Sequence, residues 1–101
     1  NIDREPTKHG LDEAELAEVA HAVATLPRLR LRGLMAIPAP AAEFAVQRRP
    51  FAQLRKLRER LADAGLVLDT LSAGMSDDLE AAIAEGATLV RIGTALFGSR
   101  P

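Results

Sequence analysis

The sequence predicts an α/β fold in which short parallel strands alternate with helices. Short apolar runs of strand length alternate with longer stretches whose apolar residues recur at helical spacing, and Gly or Pro residues separate the two. Strands that alternate with helices form parallel βαβ units, because each helix carries the chain back to the start of the next strand.

The first helix is predicted to begin after Asp12, because Glu15 follows at the spacing of a capping box, and to end before Pro27. Residues 31–37 form a short apolar run that two prolines close, as expected of a buried strand. The opening residues 1–3 lie where the end of a further strand would fall.

The second helix is predicted to begin near Pro50, because proline suits the first turn of a helix. It should end at Gly65, the residue type usual just after a helix. Its inward side should carry four apolar residues at helical spacing: Phe51, Leu54, Leu57 and Leu61.

Residues 66–71 and 89–92 are the next two predicted strands. Between them Ser76 should cap a third helix that ends at Gly86, and residues 94–97 could form one short closing turn. Three carboxylates favour the helix dipole in the first turn of that third helix: Asp77, Asp78 and Glu80.

Three βα units and a strand stub are too few to close a (β/α)₈ barrel, which takes roughly 250 residues. The pattern alone therefore leaves two architectures: part of such a barrel, or a small open α/β sheet. Residues 1–101 form at most one domain, and the only aromatic side chains are three Phe. A fold built from this chain alone would be marginally stable, which suggests a missing partner.

The chain has a net charge of −1 and no cysteine. Nucleic acid is not an expected partner, because its binding depends on a basic excess that neutralises phosphates. The lack of cysteine excludes disulfides and fits the reducing cytoplasm, where we expect the protein to be located. A membrane partner is not expected either, because no apolar run approaches the roughly 20 residues that cross a bilayer.

Two loops that follow predicted strands, residues 72–76 and 91–94, have the composition of a phosphate site. Each offers small residues that let the backbone approach a ligand, free N–H groups at a helix start, and a hydroxyl group. In (β/α)₈ barrels, loops after the last two strands often build such a site. A plain helix cap would explain each loop taken alone.

Arg91 lies between Val90 and Ile92 in a strand otherwise suited to burial. A buried guanidinium keeps its proton and therefore needs an anion or an acceptor. The alternative is an arginine at the strand tip that bonds to carbonyl groups or to a carboxylate such as Asp69.

We expect structural roles for the other candidate residues. Lys8 and His9 are expected to be solvated in a loop, His21 to be exposed on the first helix, and Met35 to lie in the core. The carboxylates of Asp77, Asp78 and Glu80 fit a solvated helix start better than a metal site. No arrangement of nucleophile, base and orienting acid is visible, so no catalytic residue is predicted.

Three stretches resemble the pyridoxal-phosphate homeostasis protein family, a single-domain, alanine-racemase-like barrel of fold type III. They are NIDREPTKHGL at residues 1–11, LRLRGLMAIPAP at residues 29–40, and DTLSAGMSDDLEAAIAEGATLVRIGTALFG at residues 69–98. The strings LSAGMSDD and VRIGTALFG carry most of the resemblance. It implies that the chain is the C-terminal half of the barrel, about three and a half βα units.

The resemblance also implies that the chain binds pyridoxal 5′-phosphate (PLP). It assigns Ser72 and Ser76 to the cofactor phosphate, with the backbone of Gly93 and Thr94 beside them, and Met75 nearby. Arg91 corresponds to the arginine that faces the pyridine nitrogen. A permanently charged donor there keeps the nitrogen unprotonated and makes the ring a poor electron sink, as suits a non-catalytic carrier or regulator of PLP in the cell.

In the family that it resembles, the Schiff-base lysine lies on the first barrel strand, so we expect it upstream of this chain. Lys8 and Lys56 match neither its position nor its surroundings. The chain should therefore need the missing N-terminal half of the barrel, or another copy of itself, as a partner.

Two alternatives remain. One is a fragment of a PLP-dependent amino-acid racemase of the same fold type, although such an enzyme usually needs a tyrosine as second base and the chain contains none. The other is a structural half-barrel that covers its sheet edges with a second copy.

Overall fold

The computed structural model describes residues 1–100 and shows an α/β fold. Four helices and two strands occur in this described part of the chain, in the order α1, β1, α2, β2, α3, α4. Their bounds are α1 Glu13–Ala24, β1 Gly33–Met35, α2 Phe44–Asp63, β2 Thr70–Ser72, α3 Leu79–Ala84 and α4 Thr94–Phe97. None of these helices is both long enough and apolar enough to span a bilayer.

β1 and β2 pair in parallel, with Leu34 opposite Leu71, which confirms the predicted parallel βαβ unit. The predicted strand 89–92 makes only an isolated parallel bridge, between Leu89 and Ser72. It runs beside the end of β2 because Ala73 N–H donates to Leu89 O at 3.0 Å and Arg91 N–H donates to Gly74 O at 2.9 Å. Residues 1–3 form no strand.

Gly33 permits the close approach of the two strands. A Cβ atom built on Gly33 would lie 1.7 Å from the carbonyl oxygen of Thr70, a backbone atom that cannot move aside without opening the pair. The first residue of β1 therefore has to be glycine.

The sequence prediction for α1 is confirmed at both ends. Glu13 follows the N-cap Asp12, and the carboxylate of Glu15 accepts the N–H of Asp12 at 3.3 Å, as in a capping box. The helix ends at Ala24, before Pro27.

α2 begins at Phe44, six residues before Pro50, so the predicted start at Pro50 is wrong. Proline inside a helix removes one backbone hydrogen bond. Tertiary contacts hold the turn that precedes it: Gln47 and Arg48 both bond to residues of the next βα unit. The predicted inward residues of α2 are all buried: Phe51, Leu54, Leu57 and Leu61.

α2 and α3 end as predicted, each with a glycine just beyond the last turn. Gly65 and Gly86 have φ values of +97° and +100°, which the lack of a side chain permits. The following residues complete Schellman motifs, because Leu66 N–H donates to Leu61 O at 2.8 Å and Ala87 N–H to Ala82 O at 3.0 Å.

α3 begins at Leu79 with Asp78 as its N-cap, so the prediction that Ser76 caps it is wrong. A separate turn precedes the helix, closed by a hydrogen bond of 2.8 Å from Met75 N–H to the carboxylate of Asp78. Ser76 is thereby displaced from the helix and bonds to another segment.

The apolar residues form two buried clusters, and Leu34 of β1 packs against both. One contains Phe51, Leu54 and Leu71 with small alanines from α3, and the other contains Ala20, Leu61 and Leu68. α2 contributes to both clusters and so connects them. Met35 is exposed, which contradicts its predicted place in the core.

Candidate functional site

Three loops surround a cavity of about 900 Å³ at the carboxyl ends of the strands. The first loop, residues 36–42, follows β1; the second, residues 73–78, follows β2; and the third segment, residues 91–98, includes α4. Ligand sites of parallel α/β folds form at this edge, because the loops that leave neighbouring strands meet there.

Four of the six predicted cofactor residues line this cavity: Met75, Ser76, Gly93 and Thr94. Two of them come from each of the loops selected from the sequence. Ser72 and Arg91 lie just outside the lining. The structure therefore brings the second loop and the third segment together, as their predicted positions after neighbouring strands require.

Ser76 connects these two parts of the site. Its hydroxyl oxygen accepts the N–H of Ala95 at 2.9 Å, so the first turn of α4 is held against the second loop. The backbone N–H groups of Ser76, Asp77, Gly93 and Thr94 donate to no acceptor within residues 1–100. Unpaired N–H groups from two loops beside one cavity are suited to binding an anion.

Arg91 is held by one hydrogen bond, from Nη2 to the carbonyl oxygen of Ala36 at 3.2 Å. Its Nε atom is buried and has no partner in the described part of the chain. Asp69 is paired with Arg32 through two hydrogen bonds of 3.0 and 2.7 Å, so the suggested Arg91–Asp69 pair does not form. Arg91 thus bonds to a carbonyl group and keeps a further donor without an acceptor.

Ser72 occupies the last position of β2 and is half-buried. Its carbonyl oxygen accepts the N–H of Ala36 at 3.2 Å, which continues the pairing of β1 and β2 for one residue. Ser72 therefore belongs to the end of the sheet and does not line the cavity.

Gln47 is a residue of the site that sequence reasoning missed. It lines the cavity from α2, and its side-chain amide donates to Ala41 O at 2.8 Å and to Asp77 O at 3.2 Å. It thus joins the first and second loops. No local signal identifies it, because Gln47 and Asp77 are 30 residues apart in the chain. The first loop was also missed, although its position after a strand could have indicated it.

A second, largely apolar groove of about 580 Å³ lies between the N-terminal segment, α1 and β1. Met35 and the exposed His9 line it. Lys8 is less solvated than predicted, because its ammonium group donates to Ile37 O at 2.6 Å and pairs with Glu5 at 3.2 Å. His21 is exposed, as predicted.

Two carboxylates outside the cavity have lowered pKa values. The pKa of the buried Glu85 is lowered, first by its hydrogen bond to Arg48 and also by Arg55, each 2.7 Å away. The hydrogen bond from Arg32 lowers the pKa of Asp69 to about 2. The described residues contain no group of three or more His, Cys, Asp or Glu side chains that could hold a metal ion.

Comparison with known proteins identifies relatives of this chain. The family model described as "Alanine racemase, N-terminal domain" matches residues 1–101. The pyridoxal phosphate homeostasis proteins of Pseudomonas aeruginosa and Escherichia coli K12 are 62% and 58% identical to the chain over 100 and 105 residues. These matches cover 99% of the chain but 42% and 43% of the relatives, so the chain spans less than half of their length.

Solved structures agree with the fold. A crystal structure of an unknown protein from Bifidobacterium adolescentis matches with a TM-score of 0.86 and 42% identity, over 96% of this chain and 40% of that one. The PipY protein of Synechococcus elongatus with PLP bound matches with a TM-score of 0.83 and 38% identity, over 95% of this chain and 46% of that one.

Proposed function

This chain belongs to the alanine racemase N-terminal domain family, and on that premise we propose that it supplies part of a PLP-binding site. The buried, unpaired Nε of Arg91 is the observation that carries the proposal. A buried donor without an acceptor raises the free energy of the folded state. Such a donor beside a cavity is therefore expected where a bound ligand supplies the acceptor. The chemistry of this donor fits the unprotonated nitrogen of a pyridine ring.

The cavity also fits the phosphate end of the cofactor. The free N–H groups of Gly93 and Thr94 and the hydroxyl of Ser76 come from two loops that the Ser76–Ala95 hydrogen bond holds together. Such donors can bind phosphate without a lysine, because several backbone dipoles share its charge. Met75 would lie beside the ligand, and Ser72, at the end of β2, would contribute to binding the phosphate.

PLP supplies an electron-withdrawing ring and an aldehyde when bound. Arg91 can only donate, and its guanidinium stays protonated, so it would keep the ring nitrogen unprotonated and limit electron withdrawal. We therefore propose a non-catalytic role in PLP homeostasis, and the names of the two bacterial relatives support the link to PLP homeostasis. The cytoplasm is the proposed location.

The lysine that bonds covalently to PLP is proposed to lie outside this chain. Lys8 is engaged by Ile37 and Glu5, and Lys56 is exposed on α2. The finer placement of the chain as the C-terminal portion of a (β/α)₈ barrel stays a prediction. The family match does not confirm it, since it concerns a domain described as N-terminal in alanine racemase.

Substituting Arg91 tests the proposal. In the full-length protein, Arg91→Gln should weaken PLP binding about tenfold, because one charge-assisted hydrogen bond is lost. Arg91→Lys should restore part of the affinity by returning a cation. Absorbance titration with PLP would measure both effects, and an unchanged affinity of the Gln variant would place Arg91 away from the ring.

The racemase alternative is tested separately on the wild-type protein. Incubation with alanine in D₂O, followed by NMR, reports exchange of the α-proton. We expect no exchange above that of free PLP, and exchange at an enzymatic rate would replace the homeostasis role with catalysis.

A further inference from the structure

A closed ring of hydrogen bonds joins the three walls of the cavity. Arg91 links the third segment to the first loop through Ala36 O, and Ser76 links the second loop to the third segment through Ala95 N. Gln47 closes the ring between the first and second loops, at Ala41 O and Asp77 O.

Gln47 makes the connection that no strand pairing provides. A side-chain amide has two N–H donors, and both are used here on carbonyl groups of different loops. The second loop and the third segment are also joined through the backbone, from Arg91 N–H to Gly74 O at 2.9 Å. Beyond the ends of β1 and β2, Gln47 connects the first loop to the second loop at the cavity.

We propose that Gln47 is a positioning residue that sets the second loop for binding the phosphate group. Asp77, whose carbonyl it holds, follows Ser76 directly, and the N–H groups of both residues are free. The Asp77 carbonyl shares its peptide plane with the N–H of Asp78, which donates to Met75 O at 3.3 Å and closes the turn. By holding this carbonyl, Gln47 would stabilise the turn that carries the free N–H groups of Ser76 and Asp77. The inference rests on the proposed PLP site and adds a residue to it.

The experiment compares two glutamines of α2 in the full-length protein. Gln47→Met keeps an unbranched side chain of similar length and removes both donors. Gln53→Met is the matched control, because Gln53 also donates from α2, to Glu13 at 2.8 Å, but lines the apolar groove and not the cavity.

The two variants should differ in how much their affinity for the ligand depends on its phosphate group. We expect Gln47→Met to raise the dissociation constant for PLP about 5- to 30-fold, as expected for two neutral hydrogen bonds. The constant for pyridoxal, which lacks the phosphate, should change less than about twofold, and Gln53→Met should change neither. Equal weakening of both ligands would show that Gln47 only supports the fold, and unchanged PLP binding would also overturn the inference.

A second measurement does not depend on PLP. In the ligand-free protein, amide hydrogen exchange at Met75 and Asp78, whose N–H groups bond within the turn, should be faster in Gln47→Met than in Gln53→Met. Unchanged exchange would overturn the positioning role. Failure of the wild-type protein to bind PLP, with faster exchange in the variant, would instead overturn the proposed function alone.

Discussion

Glu85 shows how one side chain can join two elements. It is buried at the C-cap of α3, and its two carboxylate oxygens accept from Arg48 and Arg55 of α2, each at 2.7 Å. The arginines extend toward solvent, so the charge of the group is balanced at the edge of the core. α2 and α3 are therefore joined by charge as well as by apolar contact.

We expect Glu85→Gln to lower the free energy of unfolding by about 1–3 kcal/mol at pH 7, because two charge-assisted hydrogen bonds are lost. The pKa of Glu85 is lower in the folded state than its ordinary value of 4.5. Its contribution is therefore complete above that pH and is lost as the pH falls through the folded-state pKa. Urea unfolding between pH 7 and pH 3 should show the acid-side loss in wild type and a reduced loss in the variant.

Asp69→Asn is the control for this prediction. The pKa of Asp69 is lowered to about 2 by Arg32, so its contribution is lost only as the pH falls from 3.8 toward that value. The side chains of Arg32 and Asp69 are 56% and 57% exposed, and water screens such pairs. We expect little change at pH 7, and a loss as large as that of Glu85→Gln would contradict the importance assigned to burial.

At the scale of elements, the sequence predicted the helix ends that are determined by residues close together in the chain. The capping residues Asp12 and Glu15 placed the start of α1, and Gly65 and Gly86 placed the ends of α2 and α3. The predicted starts of α2 and α3 were wrong. Contacts with distant residues hold the turn of α2 before Pro50, whereas α3 starts later because Asp78 closes a separate turn before it. Ser76, which was predicted to cap α3, instead accepts the N–H of Ala95 in the first turn of α4.

The same distinction applies to the site. Small residues and hydroxyls after neighbouring strands indicated the two loops, residues 72–76 and 91–94, and the family resemblance selected Ser76, Gly93 and Thr94, which line one cavity. The role of Gln47 could not be predicted in this way, because a single glutamine carries no local signal. Its two carbonyl partners belong to different loops, which only the folded chain brings together.

The close pairing of β1 and β2 predicts a strong effect of one methyl group. Gly33→Ala should destabilise the protein by about 2 kcal/mol or more, because its Cβ would overlap the carbonyl of Thr70. Gly65→Ala is the comparison, since it meets no atom within 4 Å and should cost only about 1–2 kcal/mol of backbone strain. Equal midpoints of urea unfolding for the two variants would contradict the close approach.

At the scale of the whole molecule, the chain is more open than a compact domain of its size. Its accessible surface is 7078 Å², against about 5,500 Å² expected for a compact protein of this mass. Its radius of gyration is 14.3 Å, against about 13 Å. Large apolar side chains contribute to the excess, among them Val67 at 85% and Phe97 at 81% exposure.

We therefore expect the segment of residues 1–101, prepared alone, to associate with itself, because burying apolar surface is favourable. Sedimentation velocity over a range of concentrations should show an average mass that rises with concentration. A stable monomer that does not bind a hydrophobic dye would show that the exposed apolar surface needs no cover.

The ring around the cavity also determines where sequence variation is tolerated. Each of its links joins a side chain to a main-chain atom: Arg91 to Ala36 O, Gln47 to Ala41 O and Asp77 O, and Ala95 N to Ser76. Every residue type has a backbone carbonyl, and every type but proline has a backbone N–H. The positions that contribute only a main-chain atom to the ring can therefore change residue type, whereas substitution of Arg91, Gln47 or Ser76 would remove a link. Searches for pairs of positions that change together would therefore overlook this ring.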